Sequence, residues 1–465
     1  MATTITDKTF KTINPANGKA LTTHTIMTDA QVEDTIQKSH EAFKKWRFKS
    51  VEERGKVISA IGEELQNYKK ELGDMMTSEM GKLLTQSEQE VDLCTAICSF
   101  SAKNAPEELK SEEREISDGG RGIITYAPLG VIYGIQPWNY PAYQVIRYTI
   151  ANLMAGNSVL LKHAENVTGT AKLLKSIFDT AGLPEGLFSV LVISHDQSDT
   201  IIEHELVRGV TLTGSPGAGK KIGKKAGKAL KKTVLELGSN DAYLILDDAD
   251  IDLAVEKSIQ GRIYNNGETC IAAKRFIATE AVYDEFREKF VKGMKALKLG
   301  DPTDSKTDLG PMARKDLREK LHEQVQKSVQ NGAEILCGGK LPEGEGYYYP
   351  ATVLAQVTEG QPAYDDELFG PVASLIKAKD NEDAMRIAND SRFGLGGGIF
   401  SKDVDKAIEM ASKHFDTGMV FINSFGLAEP NMPFGGVKNS GFGREHGGFG
   451  MKEFVNAKSI MIGDA

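Results

Sequence analysis

The chain has 465 residues, too many for one hydrophobic core, and its 40% hydrophobic and 26% charged composition is that of a globular protein with two or three domains. An excess of 65 acidic over 56 basic residues leaves a formal charge of -9, so the global field does not attract nucleic acid. Four cysteines in so long a chain are too few for a disulfide framework, and with no leader-like or membrane-length apolar run the expected location is the reducing cytoplasm, away from membranes.

In chain order, Thr28 followed by Gln31 predicts a capped helix carrying Val32, Ile36, Phe43 and Trp46. Helical patterning continues to about residue 100, where Cys94 and Cys98 read as packed thiols; no paired histidines support a metal, and none is expected. The charged stretch 106–121, the turn at Asp118-Gly119-Gly120 and the apolar residues after it predict an exposed hairpin. Apolar runs at 131–135, 158–161, 188–193, 209–213 and 233–237 alternate with helices, which predicts a parallel sheet wound on both faces. A second α/β series has strands near 276–279, 372–377 and 419–422, and residues 453–460 alternate like an edge strand.

Three segments can carry chemistry. Asn265-Asn266-Gly267-Glu268-Thr269-Cys270 places a cysteine after a glycine turn, where the thiol is either a packed apolar residue or a nucleophile that needs a base. Glu236 interrupts the apolar Thr233-Val234-Leu235 and precedes Leu237-Gly238; it is either a solvated strand residue or a proton acceptor tuned by burial. Asn139, in Pro137-Trp138-Asn139-Tyr140-Pro141, offers an amide to an oxyanion. The turn Thr213-Gly214-Ser215-Pro216-Gly217-Ala218-Gly219 opens a helix whose start can hold a phosphate, although it is not the G-x-G-x-x-G fingerprint. The seven lysines from Lys220 to Lys232 read chiefly as a solvated face, since a nucleic-acid site fits poorly with a net acidic chain.

The order of these motifs, continued by Glu367-Leu368-Phe369-Gly370-Pro371 and Pro433-Phe434-Gly435-Gly436, resembles the aldehyde dehydrogenase superfamily over nearly the whole chain, and most of all its bacterial succinate-semialdehyde dehydrogenase branch. The resemblance implies a doubly wound cofactor domain (1–107 and 128–237), an α/β catalytic domain (238–434) and a small β oligomerisation flap (108–127 and 447–465) that builds a homodimer or homotetramer. It implies Cys270 as nucleophile, Glu236 as general base and Asn139 as oxyanion donor beside the Cys270 amide. Trp138, Lys162, Glu165, Gly214, Ser215, Gly219, Leu237, Glu367 and Phe369 match cofactor positions, with Glu165 on the adenosine ribose favouring NAD over NADP. Arg147 matches the arginine that faces a distal substrate carboxylate. A second arginine of that branch is replaced by Tyr264, and Arg262 stands two residues further from the cysteine as the remaining candidate anchor.

Two residues depart from the family pattern. Ser239 replaces a glycine, which puts a left-handed backbone there in doubt, and Glu268 replaces a glutamine near the nucleophile, where it is expected to point outward. The resulting expectation is oxidation of an aldehyde, succinic semialdehyde foremost, to the acid through a thiohemiacetal and thioester on Cys270. The rivals are a broad aliphatic-aldehyde dehydrogenase, an enzyme passing the acyl group to coenzyme A or phosphate, and a catalytically inactive binding or structural protein with this fold. Retention of Asn139, Glu236 and Cys270 together disfavours the last, and Glu236 favours water as acyl acceptor.

Overall fold

The computed structural model describes residues 8–117 and 120–463. Thr28 caps the helix Asp29–Trp46 with the reciprocal bond to Gln31 that the sequence predicts, and Val32, Ile36, Phe43 and Trp46 form its buried stripe. That helix packs on a six-stranded sheet in the order 441–442, 232–236, 207–213, 131–136, 158–163, 188–190. The first strand is antiparallel to its neighbour and the other pairings are parallel. Connections reverse direction around Val131–Gln136, so the loops after it and after Val207–Thr213 diverge and leave a crevice at the carboxyl edge of the sheet. The third strand of the apolar series is shorter than its composition predicts, Phe188–Val190, and lies at the edge of the sheet; beyond it the Leu191 amide still donates to the Leu161 carbonyl at 2.7 Å.

A second sheet of seven strands runs 334–337, 352–355, 372–378, 275–279, 242–245, 397–400, 421–422 and is parallel except for its first pair. Its strands Ala242–Ile245 and Arg275–Thr279 are buried on both faces, as a parallel sheet covered by helices requires. The chain crosses from one sheet to the other through residues 237–241, which directly follow Glu236. The carboxyl edge of the first sheet therefore meets the amino edge of the second, and the motifs of the sequence converge at that seam. A third, antiparallel sheet pairs Val455–Ile462 with Arg121–Pro128 and that strand with Glu112–Glu115. The hairpin is present as expected, while Asp118 and Gly119 of its turn lie outside the described residues. Val455–Ile462 is an edge strand with Val455 buried and the rest exposed, Met461 to 75%. Among the described residues no helix is long and apolar enough to cross a membrane and no cluster could hold a metal ion.

Candidate active site

The loop after Val131–Gln136 is sewn to the cysteine turn. Asn139 Nδ2 donates to the Glu268 carbonyl at 3.0 Å, Asn265 Nδ2 donates to the Asn139 carbonyl at 2.8 Å, and the Tyr140 hydroxyl meets Thr269 Oγ1 at 2.9 Å. From below, Glu90 accepts the Ala142 and Tyr143 amides at 2.8 and 2.9 Å, occupying the start of the helix Tyr143–Ala155. Glu90 is in turn paired with the buried Lys82, whose ammonium lies 3.8 Å from the Tyr140 ring centre. His163 grips the same loop: its Nε2 lies 2.9 Å from the Pro141 carbonyl, and its Nδ1 lies 3.1 Å from both the Gln136 carbonyl and the Ala164 amide.

The cysteine turn owes its shape to three consecutive left-handed residues, Asn265, Asn266 and Gly267, with φ of 54°, 56° and 75°. Gly267 has a second reason to be bare, since a Cβ there would stand 2.4 Å from the Gly370 backbone. These inversions re-aim Glu268. It is fully buried, with both carboxylate oxygens 3.2 Å from the Ala313 amide, so the expectation that it points outward is wrong. Burial pushes its pKa well above the carboxylate range, and a neutral acid in place of the glutamine puts no anion beside the thiol. Ser239 is not left-handed, in agreement with the doubt that a side chain there raises, and its hydroxyl donates to buried Asp241.

Cys270 is half-buried at the end of this turn. Burial pushes its thiol up to about 12, opposed by the cations of Arg147 and Lys274 and reinforced by Glu236 and Glu367. Glu236, the last residue of Lys232–Glu236, is 2% exposed and neither of its carboxylate oxygens has a hydrogen-bond partner. Burial lifts its pKa well above the usual range, with Arg147 pulling it down and Glu445 pushing it up. A buried, unpartnered carboxyl with a raised pKa, close enough to Cys270 to raise that of the thiol, is suited to take its proton.

Cofactor candidates occupy the other half of the seam. Ser215 caps the helix Pro216–Lys228, its hydroxyl accepting the Ala218 amide at 3.3 Å, and Gly219 is buried in the first turn. Of the following lysines, Lys221 and Lys225 are spent on Asp199, at 3.6 and 3.1 Å. Lys162, 6% exposed, lines a cavity of about 480 Å³ together with Glu165 and His195. Glu367 accepts the Ser239 amide at 3.0 Å, and a Cβ at Gly238 would fall 2.4 Å from the Glu367 carboxylate and displace it. Trp138 and Phe369 meet edge to face at 5.8 Å, and Leu237 is buried beside this group. A crevice with a helix start for a phosphate, a buried cation and a carboxylate for ribose hydroxyls fits a nicotinamide dinucleotide.

Arg147 and Arg262 are less available than their sequence positions imply. Arg147 is 2% exposed; its Nε pairs with Glu445, its Nη2 donates to Thr213 Oγ1 at 3.0 Å, and the Phe434 ring centre lies 4.8 Å away. Arg262 has no accessible surface and donates to the Gly267 carbonyl at 2.7 Å; a guanidinium enclosed behind the cysteine turn offers no face to a substrate. Burial lowers its pKa to about 9. Two groups were not legible beforehand, Glu445 and Lys274. Their only signals are a charged pair inside the glycine run Gly443-Arg444-Glu445-His446-Gly447, and a lysine immediately before an apolar strand.

Comparison with known proteins defines the class. Residues 3–460 match the aldehyde dehydrogenase family, and the chain belongs to it. It is 43% identical to the NAD(P)+ succinate semialdehyde dehydrogenase Sad of Escherichia coli K12, over 98% of this chain and 99% of that one. It is 39% identical to an NADP(+) succinate-semialdehyde dehydrogenase of Deinococcus radiodurans, over 98% and 95%. The crystal structure of the succinic semialdehyde dehydrogenase of Streptococcus pyogenes with NADP+ superposes with a TM-score of 0.96 at 38% identity, covering 98% of this chain and all of that one. The protein is an NAD(P)-dependent oxidoreductase that oxidises aldehydes.

Proposed function

We propose that the protein oxidises succinic semialdehyde to succinate through a thioester on Cys270, with Glu236 as base and Asn139 as oxyanion donor. One observation carries the reading: a buried carboxyl without any hydrogen-bond partner lies close enough to raise the pKa of a thiol whose turn is tied to the Asn139 loop. Glu236 takes the thiol proton, and the sulfur adds to the aldehyde carbon. The Asn139 amide and the Cys270 backbone N–H hold the oxygen that becomes anionic; one such donor is typically worth on the order of 10²–10³ in rate. The bound nicotinamide supplies the hydride acceptor. Once the thiol proton has been lost from Glu236 to solvent, the carboxylate takes a proton from the water that cleaves the thioester; that proton returns to the departing Cys270 sulfur, and succinate leaves.

The substrate rests on the two relatives named for succinate semialdehyde and on Arg147, a cation close enough to lower the pKa of both Cys270 and Glu236. The engagement of Arg147 by Glu445 favours a second reading, a broader aliphatic-aldehyde dehydrogenase. For the cofactor we propose a preference for NAD with NADP also accepted, because the exposed Glu165 carboxylate beside Lys162 can accept both ribose hydroxyls and repels a 2′-phosphate. The relatives' names point to NADP(+), which makes Glu165 the decisive residue. The six-stranded sheet is assigned to the cofactor and the seven-stranded sheet to catalysis. The exposed edge strand Val455–Ile462 is assigned to self-association in the cytoplasm. A panel of aldehydes assayed with each cofactor by specificity constant tests the proposal. Highest kcat/KM for succinic semialdehyde with NAD supports it, and equal rates for neutral aldehydes favour the second reading.

A further inference from the structure

We propose that Lys274 is a positioning residue that sets the backbone half of the oxyanion hole by gripping the carbonyls of the cysteine turn. The proposal rests on the reading of Cys270 as nucleophile. Lys274 precedes the strand Arg275–Thr279, and its backbone is fixed by bonds from its amide to the Asp241 carbonyl at 3.1 Å and from the Ser374 amide to its carbonyl at 3.0 Å. Its side chain, 1% exposed, turns back under the nucleophile. The ammonium donates to the carbonyls of Cys270 at 2.6 Å and Thr269 at 3.2 Å, reaches that of Ala272 at 3.5 Å, and stands 3.5 Å from Glu367 Oε1.

The consequence follows from peptide planarity. The Thr269 carbonyl and the Cys270 N–H belong to one peptide unit, and no peptide bond among the described residues is cis. In a trans unit the C=O and N–H bonds point in opposite directions, so an ammonium holding the Thr269 oxygen aims the Cys270 N–H away from itself. Among the described residues that N–H has no hydrogen-bond acceptor, which leaves it free for a substrate oxygen. The same ammonium links the turn to the carboxylate assigned to the nicotinamide ribose, so cofactor site and nucleophile share one cation. Turn and cation are local in sequence, whereas Glu367 arrives from a different strand connection.

Lys274→Met is the test, with Lys274→Gln as the variant that keeps a donor for the carbonyls and removes the charge. In Lys274→Met, kcat falls on the order of 10²-fold, comparable to loss of one oxyanion donor, while KM for the aldehyde changes less than threefold. The pH midpoint for alkylation of Cys270 by iodoacetamide rises in both variants, because of the charged groups facing the thiol only Arg147 then opposes Glu236 and Glu367. Lys274→Gln keeps more of kcat than Lys274→Met. If Lys274→Met does not fold, the kcat and alkylation midpoint of Lys274→Gln decide alone. A kcat and an alkylation profile within twofold of the parent overturn the proposal. So does a joint loss of melting temperature, kcat and KM with an unmoved alkylation midpoint, which marks a role in folding only. Cys270→Ala separates the two levels: turnover in that variant defeats the nucleophile itself, whereas an inactive Cys270→Ala beside a fully active Lys274→Met defeats the role of Lys274 alone.

Discussion

Replacing Arg147 with methionine keeps a long unbranched side chain and deletes the guanidinium. It strands Glu445, a 5% exposed carboxylate whose buried ion pair is with Arg147, and frees Thr213 Oγ1. Breaking a buried pair on one side costs about 3–5 kcal/mol. With an unfolding entropy of about 2.1 cal/mol/K per residue, a 465-residue chain that melts as one unit loses about 3–5 °C. The kinetic effect has two separable parts. Arg147 opposes burial at both Glu236 and Cys270, so its loss raises both pKa values and lowers activity near neutral pH towards every aldehyde. If the guanidinium also reads the distal carboxylate, succinic semialdehyde suffers an extra loss worth about 1.5–3 kcal/mol for a charge-assisted bond, about 10- to 160-fold in KM relative to butanal. Initial rates of cofactor reduction with both aldehydes, together with a melting curve, read all three quantities. A KM ratio that does not change refutes carboxylate recognition by Arg147; an unchanged melting temperature refutes the ion pair as a stabilising contact.

Glu236→Gln slows both steps that use the base; at alkaline pH, where the thiol ionises without it, hydride transfer survives and a burst of reduced cofactor precedes a slow steady state in stopped-flow traces, whereas steady-state turnover equal to the parent's removes Glu236 from the reaction. Because Glu236 must be deprotonated to take the thiol proton and its pKa is raised, kcat/KM climbs with pH, and the limb due to Glu236 disappears in Glu236→Gln. Glu165→Ser raises kcat/KM for NADP relative to NAD, and a cofactor ratio that does not move shows that the carboxylate does not face the ribose. Burial lowers the pKa of His163 to about 4 from the usual 6.5, so its contribution to stability is complete above pH 6.5 and is lost as pH falls towards 4. The loss is on the order of 3 kcal/mol at the acid end, and His163→Gln flattens that part of a melting-temperature profile.

The sequence made the local devices readable because their partners are neighbours. Thr28 and Gln31 lie on one helical turn, and the strand before Asn139 is marked by its own apolar run. Cys270, Glu236 and Asn139 were individually ambiguous and became legible through the order of the surrounding motifs, which the family match supports. What stayed hidden depends on pairs from distant parts of the chain. Arg147 reads as a waiting anion anchor until Glu445, near the other end of the chain, is seen on its guanidinium. Glu268 was misplaced for a different reason: three successive left-handed residues invert the side-chain direction that a strand or helix period would give. Lys274 carries no motif at all, and its role is set by the path of backbone carbonyls that spacing does not reveal.

The central claim is the covalent bond to Cys270. Glu236→Gln enzyme mixed with NAD and succinic semialdehyde, acid-quenched within the burst and digested, gives a direct reading by peptide mass spectrometry. The account predicts a mass increase of one succinyl group on the peptide containing Cys270, at a level matching the reduced cofactor formed. Reduced cofactor formed in the burst with no adduct on Cys270 would contradict it.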